Sequence, residues 1–419
     1  MTNGGFADGV TTSDWKDNIF STPSCGFVPF FSFEAAMLIL ASNENQERKL
    51  ALVSQSFALV FRAVKRNGSK NPSCGIKLVT RNELKNHHFR KLSEHKVYGF
   101  IGCIQVDNNI FMGVITGSTK VASPIPNETV NRIFAVDFFC ISDDSWDYCE
   151  LDPSGRPMGL PVSEGESTGA IDPTRKHPCF GMKKLLSNGS FYYSTDFDLT
   201  STLQNRGFYD YSLSTDKLQE EYMWNSFLMS EIFAYRDRLD PDTRQILDEE
   251  GFLTAVIRGY AETLTSHVGR LKVSLSIISK QSWKRAGMRF NARGIDDDAN
   301  VANFVETEII MYSPEYCYAF TQVRGSVPIF WEQDASLVNS KVQITRSTDV
   351  TQPIFEEHFL RLVEKYGLVN VVNLLSNAKT NERDLFQRYI YHLEKSRKVK
   401  LGENIFLTNF DFNKETAQE

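Results

Sequence analysis

The segment Glu315–Gln333 reads EYCYAFTQVRGSVPIFWEQ and holds the parts of a phosphate site: Cys317, Arg324 seven residues later, Gly325, Ser326 and a Pro-aromatic run ending in Trp331. Arginine offers a bidentate fork to a phosphoryl group, and glycine lets the backbone approach it closely. Core packing explains Val327, Ile329 and Phe330 equally well. The stretch CYAFTQVR has the alternation of an apolar strand, not the Gly/Ser richness of a phosphate loop, so Cys317 is expected to be a buried strand residue. A second block, Ser282–Glu308, reads SWKRAGMRFNARGIDDDANVANFVETE. From Val268 to Ile295 there are seven basic residues (Arg270, Lys272, Lys280, Lys284, Arg285, Arg289, Arg293) and no acidic one. Such a cluster suits a polyanionic headgroup or lipid surface, at about 1 kcal/mol per well-placed charge; a solvated basic face is the alternative. A third block, FYYSTDFDLT (Phe191–Thr200), is most simply aromatic core.

The elements that must position these residues change character along the chain. The first half is expected to be β-rich. KLALVSQSFALVFRAV, KVYGFIGCIQVDNNIFMGVITGSTKVA and RIFAVDFFCIS are β-branched and aromatic runs broken by turn residues, with a hairpin at VDNNIFMGVI. Asp152–Pro178 is rich in Gly, Pro and Ser and is expected to be a surface loop without fixed structure. A helix is expected across STDKLQEEYMWNSFLMSEIFAYRDRL, ending before Pro241. LTAVIRGYAETL and RLKVSLSIISK follow as strands. The last hundred residues alternate: helix (PIFEEHFLRLVEKYG, proline early and glycine last), strand (LVNVVNLL), helix (NERDLFQRYIYHLEKS), strand (NIFLTNFDF). That rhythm suggests an α/β layer with a mixed, partly parallel sheet.

Composition narrows the functional classes. The chain has 419 residues, 31 of them phenylalanine, and a net charge of −6, which gives no reason to expect nucleic acid binding. Seven scattered cysteines without a C-x-x-C pair read as reduced thiols, and the dispersed histidines make a metal site unlikely in the pattern; no cofactor is expected. The apolar run Phe27–Leu40 is too short to span a bilayer, so any membrane contact is expected to be peripheral.

FYYSTDFDLTSTLQ, RFNARGIDDDANVANFVETE, RGSVPIFWEQ and the closing FDFNKE, in that order along the chain, resemble the Sac family of phosphoinositide phosphatases. KLLSNGSFYYSTDFDLTSTLQNRGF and ILDEEGFLTAVIRGYAET are most similar to the Sac region of fungal synaptojanin-like proteins. The resemblance runs from about Lys49 to the last residue. It implies an α+β architecture: an extension over 1–48, a β-rich domain over 49–215, and the first part of an α/β catalytic domain over 216–419. It also implies a catalytic Cys-x5-Arg loop, in which a thiolate attacks phosphorus while arginine and backbone N–H groups hold the phosphoryl oxygens. Residues six after the cysteines are Phe31, Thr80, Asn109, Trp146, Gly155, Leu185 and Val323, so the sequence contains no such loop. In the family that loop follows the strand matching NIFLTNFDFNKE. The chain is therefore expected either to be a fragment ending before it or to be a natural non-catalytic relative.

What the resemblance implies for sites follows. Lys284, Arg285, Arg289, Arg293 and Arg324 are candidates for contact with phosphoinositide or membrane, and Asp296, Asn303, Glu306, Gly325, Ser326 and Trp331 are the supporting motif residues. Ala299 stands where the family usually has glycine and Asn413 where it has histidine. Two functions are weighed: a Sac-type phosphatase domain in membrane traffic and endocytosis, cytoplasmic and peripherally bound, inactive as this chain; or a binding module for phosphoinositide or for endocytic or cytoskeletal proteins.

Overall fold

The computed structural model describes residues 37–44, 47–65, 72–85, 87–147, 149–158, 176–206, 217–288, 292–333, 342–376, 380–398 and 402–410. Strands β1 (Leu38–Glu44), β2 (Glu47–Val53), β3 (Phe57–Val64) and β4 (Ser73–Thr80), the short helix α1 (Arg81–Leu84) and β5 (Arg90–Lys91) open the chain. The strands form a five-stranded sheet in the order β4-β3-β2-β1-β5. This sheet begins at Leu38, so the last part of the expected 1–48 extension is a strand paired along its length with β2.

Next come β6 (Gly99–Val106), β7 (Asn109–Ala122) and β8 (Val130–Cys140). The expected hairpin forms between β6 and β7, with Asp107 at φ 53° in its two-residue turn. A small ladder of β9 (Glu150–Leu151) with β10 (Pro157–Met158), then α2 (Phe180–Leu186), β11 (Phe191–Tyr193) and α3 (Leu203–Arg206), complete the first half. Most of the expected 152–178 loop lies outside the described residues.

The expected long helix begins late. Glu220–Tyr222 is a single 3-10 turn, and α4 runs only over Ser226–Arg236. The reason is Asn225, buried just before it: its amide donates to the Ile101 and Thr254 carbonyls and its oxygen accepts from Val256 N. These bonds hold the chain against the sheet where a helical turn would otherwise start. α4 then packs on β6 at Gly102, where a Cβ would lie 2.3 Å from the Leu228 backbone.

After α5 (Pro241–Glu249) come β12 (Val256–Val268), β13 (Leu271–Gln281), β14 (Val305–Tyr312) and β15 (Cys317–Arg324), an antiparallel meander. They continue the sheet of the first half, giving eight antiparallel strands in the order β15-β14-β13-β12-β11-β8-β7-β6. The division expected near residue 215 therefore crosses a continuous sheet between β11 and β12. The pair β16 (Trp331–Gln333) and β17 (Val342–Ile344), then α6 (Thr348–Tyr366), β18 (Val369–Asn373), α7 (Thr380–Ser396) and β19 (Ile405–Asn409), close the described chain. Pro353 lies inside α6, not at its first turn.

The fold is α+β and β-rich. The expected mixed sheet is not found among the described residues: the parallel pairing is confined to β18 with β19, apart from the large antiparallel sheet. Short loops joining β12 to β13 and β14 to β15 allow only antiparallel neighbours. One apolar cluster joins the five-stranded sheet to β6 and α4. Another lies under the inner face of β12–β14. A third binds α6 and α7 to the C-terminal strands.

Candidate functional site

The connection from β13 to β14 carries the Ser282–Phe304 segment and folds back on itself. Three of its non-glycine residues are left-handed: Arg285 (φ 51°), Ala299 (φ 61°) and Asn303 (φ 53°). Asparagine tolerates that region, whereas alanine pays a steric penalty there. Asn303 Oδ1 accepts from Gln281 Nε2 at 3.0 Å and from Gly287 N at 3.2 Å. Asp296 Oδ1 accepts from Asp298 N (3.1 Å) and Asn300 N (2.8 Å), forming the turn that follows. Ser326 Oγ accepts from Gly294 N at 2.9 Å. A Cβ on Gly294 would sit 2.4 Å from the Ile329 carbonyl oxygen, at φ 65°. Helix α6 holds the same turn from outside: Arg361 Nη1 donates to Asp298 O at 2.7 Å, and the His358 ring is bonded to the Ala299 backbone.

Beneath this loop lies a buried ionic network. Lys280 on β13 pairs with Glu306 on β14 at 2.8 Å, with side chains 1% and 0% exposed. Lys280 also donates to Thr200 O at 2.8 Å. The backbone at Thr200 is fixed by Asp198 Oδ1, which accepts from Thr200 N at 2.8 Å. Thus the FYYSTDFDLT block orients Lys280. Lys365 at the end of α6 lies 3.2 Å from Glu306 Oε2 and 3.0 Å from Glu221 Oε1, and Tyr366 Oη donates to Glu306. Burial pushes the Glu306 carboxyl up, but Lys280 and Lys365 outweigh it and hold it below its ordinary range. On neighbouring Glu308 burial prevails and raises the pKa.

Above the network is a cleft of about 110 Å³ between the loop and α6. Lys284, Arg361 and Lys365 bring three cations to its wall, but Arg361 Nε pairs with Glu357 at 2.8 Å and Lys365 with Glu221 and Glu306; Asn300, Ser282 and Tyr366 add polar groups. Among the described residues the Lys284 ammonium has neither an ion pair nor a hydrogen bond. Burial pushes His358 down to about 4, so the imidazole in the wall is neutral at neutral pH. The arrangement can accept an anion at the Lys284 ammonium, with Arg361 and Lys365 adding positive charge from within their existing ion pairs.

The structure brings only part of the expected basic set together. Lys284 lines the cleft. Arg285 turns inward, donating to the Arg293 carbonyl at 2.6 Å, and Arg293 lies over the Trp331 ring at 5.2 Å. Arg289 lies outside the described residues. Arg324 is exposed at the end of β15. Asp296, Asn303, Glu306 and Ser326 hold the loop. Gly325 leaves no room for a Cβ against Val301, and Trp331 Nε1 donates to Val327 O at 3.2 Å. Sequence reasoning missed Glu221, His358, Arg361 and Lys365. The signal for three of them was the i, i+3, i+7 spacing of His358, Arg361 and Lys365 on one face of α6.

Cys317 and Arg324 do not meet. They occupy opposite ends of β15, roughly 23 Å apart at about 3.3 Å per residue, and an odd separation of seven turns them to opposite faces. Burial pushes the half-buried Cys317 thiol up to about 11, and Cys140 and Cys179 up to about 12. Among the described residues no three His, Cys, Asp or Glu side chains are grouped as metal ligands would be. No described helix is long and apolar enough to cross a membrane.

A family model described as the SacI homology domain matches residues 98–417. The chain is 60% identical over 382 residues to Polyphosphatidylinositol phosphatase INP53 of Saccharomyces cerevisiae, an alignment covering 91% of this chain and 34% of that protein. It is 38% identical over 373 residues to Inositol-1,4,5-trisphosphate 5-phosphatase 1 of Schizosaccharomyces pombe, covering 88% and 34%. With Synaptojanin-1 of Rattus norvegicus the identity is 32% over 239 residues, 55% of this chain and 14% of that protein. The chain spans about a third of the length of the two fungal relatives. By the extent of these matches, the chain belongs to the SacI homology domain family.

Proposed function

We propose that the chain serves the dephosphorylation of phosphatidylinositol phosphates, as the part of a Sac-type phosphatase that engages the lipid headgroup at the cytoplasmic surface of a membrane in traffic. In this reading the 419 residues by themselves transfer no phosphoryl group. The observation that carries the reading is the cleft walled by Lys284, Arg361 and Lys365 and built on the Ser282–Glu308 block. The names of the fungal relatives supply the substrate class. Phosphoryl transfer to a thiolate needs a cysteine and an arginine on one loop, and the sequence has no Cys-x5-Arg.

Two assays test this. Purified chain incubated with phosphatidylinositol monophosphates should release no phosphate; turnover that survives Cys317→Ser would show a nucleophile of another kind. Binding to vesicles should require phosphoinositide and should fall when Lys284, Arg285 and Arg289 are replaced together by alanine. Equal binding to neutral vesicles would remove headgroup engagement.

A further inference from the structure

The buried network and the cleft share one residue, Lys365, and its two carboxylate partners are unlike. Glu306 is sealed: its side chain is 0% exposed, and it also takes Lys280 at 2.8 Å and the Tyr366 hydroxyl. Glu221 lies at the surface with its side chain 31% exposed. Among the described residues its carboxylate has one hydrogen-bonding partner, the Lys365 ammonium at 3.0 Å. The backbone there is held by the Ser282–Phe304 loop. Trp283 N donates to Glu221 O at 2.9 Å, and Trp283 Nε1 to Glu220 O at 2.7 Å. The segment that supplies Lys284 therefore fixes the Glu221 backbone at the cleft, while the partly exposed side chain can turn out into water.

Among the described residues that line the cleft, Glu221 is the single carboxylate. Carboxylate and phosphoryl oxygens take charge-assisted N–H bonds of similar length, so an acceptor 3.0 Å from Lys365 stands where a phosphoryl oxygen would stand. An incoming phosphoryl group thus meets one open cation, Lys284, and one that is already taken. Displacing Glu221 leaves Lys365 anchored, since it keeps Glu306 at 3.2 Å and lies over the Tyr222 ring at 4.6 Å. We infer that Glu221 is the resident counter-anion of the cleft. Its carboxylate holds the Lys365 position that a phosphoryl oxygen of the ligand takes over, so that binding exchanges one anion for another and Glu221 sets the affinity. The assignment rests on the reading that the cleft engages a phosphorylated headgroup, and it adds the residue that opposes that engagement. Two other roles for a carboxylate in this place predict the opposite sign. A Glu221 that held Lys365 ready for the ligand, or accepted from an inositol hydroxyl, would be needed for binding.

The test is calorimetric titration of the full chain with inositol trisphosphate at fixed ionic strength, comparing native chain with Glu221→Gln, Glu221→Ala and Glu364→Gln. Glu364 is exposed on α6 beside Lys365 and does not line the cleft, so its variant carries the same change in net charge as Glu221→Gln. Glu221→Gln should bind about fivefold more tightly, the effect of one unit charge at about 4 Å in the limit of bulk water. Glu221→Ala, which offers the ligand no amide, should show the same gain. Glu364→Gln should stay within about twofold of native, because a solvated charge outside the cleft is screened. Unchanged or weaker binding by both Glu221 variants, or an equal gain in Glu364→Gln, would overturn the inference while native binding left headgroup engagement standing. Absence of binding by all four proteins would overturn both.

Discussion

Removing one member of the Lys280–Glu306 pair should be far more damaging than removing both. The two side chains are 1% and 0% exposed and 2.8 Å apart, so neither can regain water if its partner is lost. Glu306→Leu leaves the Lys280 ammonium with the Thr200 carbonyl as its hydrogen-bond acceptor and the Tyr222 ring 5.3 Å away, but no paired carboxylate. An uncompensated buried charge of this kind costs about 3–5 kcal/mol. Lys280→Met is milder, since Glu306 keeps Lys365 at 3.2 Å and the Tyr366 hydroxyl; its expected cost is about 1–3 kcal/mol, that of a buried polar group losing one partner. In the double variant Met and Leu fill similar volume, and Lys365 retains Glu221. Its cost should lie within about 2 kcal/mol of native, because a buried pair replaced by apolar groups is often nearly neutral. The coupling between the sites is then at least about 2 kcal/mol, and about 4 kcal/mol at the middle of these ranges. Urea unfolding of all four proteins, followed by tryptophan fluorescence and far-UV circular dichroism, measures the cycle. A Glu306→Leu cost below about 1 kcal/mol, or a double variant as unstable as the sum of the singles, would refute the reasoning.

Glu308 has a folded-state pKa raised by burial, so its ionised form is penalised in the native chain; native stability falls as pH rises through the range above the carboxyl's ordinary 4.5. Glu308→Gln keeps an acceptor for Leu203 N and removes that penalty, so its stability advantage should be absent near pH 4, appear above it and persist at pH 7. A native-minus-variant difference independent of pH would count against the assignment. Gly294→Ala places a methyl against the Ile329 carbonyl in left-handed backbone and should destabilise by at least about 2 kcal/mol, read as a lowered thermal midpoint; an unchanged midpoint would show that the loop relaxes freely.

Which strands form was legible in the sequence because alternation and turn residues are local signals. KLALVSQSFALVFRAV, the VDNN hairpin, LTAVIRGYAETL and RLKVSLSIISK all appear as expected. Long-range pairing was not legible: β11 and β12 are separated by more than sixty residues yet share a ladder. The start of α4 depended on Asn225 reaching three backbone groups on distant strands. At the site, the Ser282–Glu308 block was visible as a sequence, but the count of basic residues over Val268–Ile295 misled. Lys280 is sealed in an ion pair and Arg285 turns to a carbonyl, leaving Lys284 to face the cleft. The other cleft cations come from α6, some eighty residues away, where nothing in the neighbouring sequence ties them to the loop. Cys317 and Arg324 illustrate the opposite failure: near in sequence, they are parted by the alternation of one strand.

The most direct test of the account is calorimetric titration of the native chain and its Lys284→Ala variant with a soluble inositol polyphosphate, in buffer free of lipid and at fixed ionic strength. The cation-walled cleft should give saturable binding of the native chain, weakened at least about tenfold in Lys284→Ala, which is the loss of one charge-assisted contact, with the thermal midpoint unchanged. Binding of equal strength by both proteins, or none by either, would contradict it.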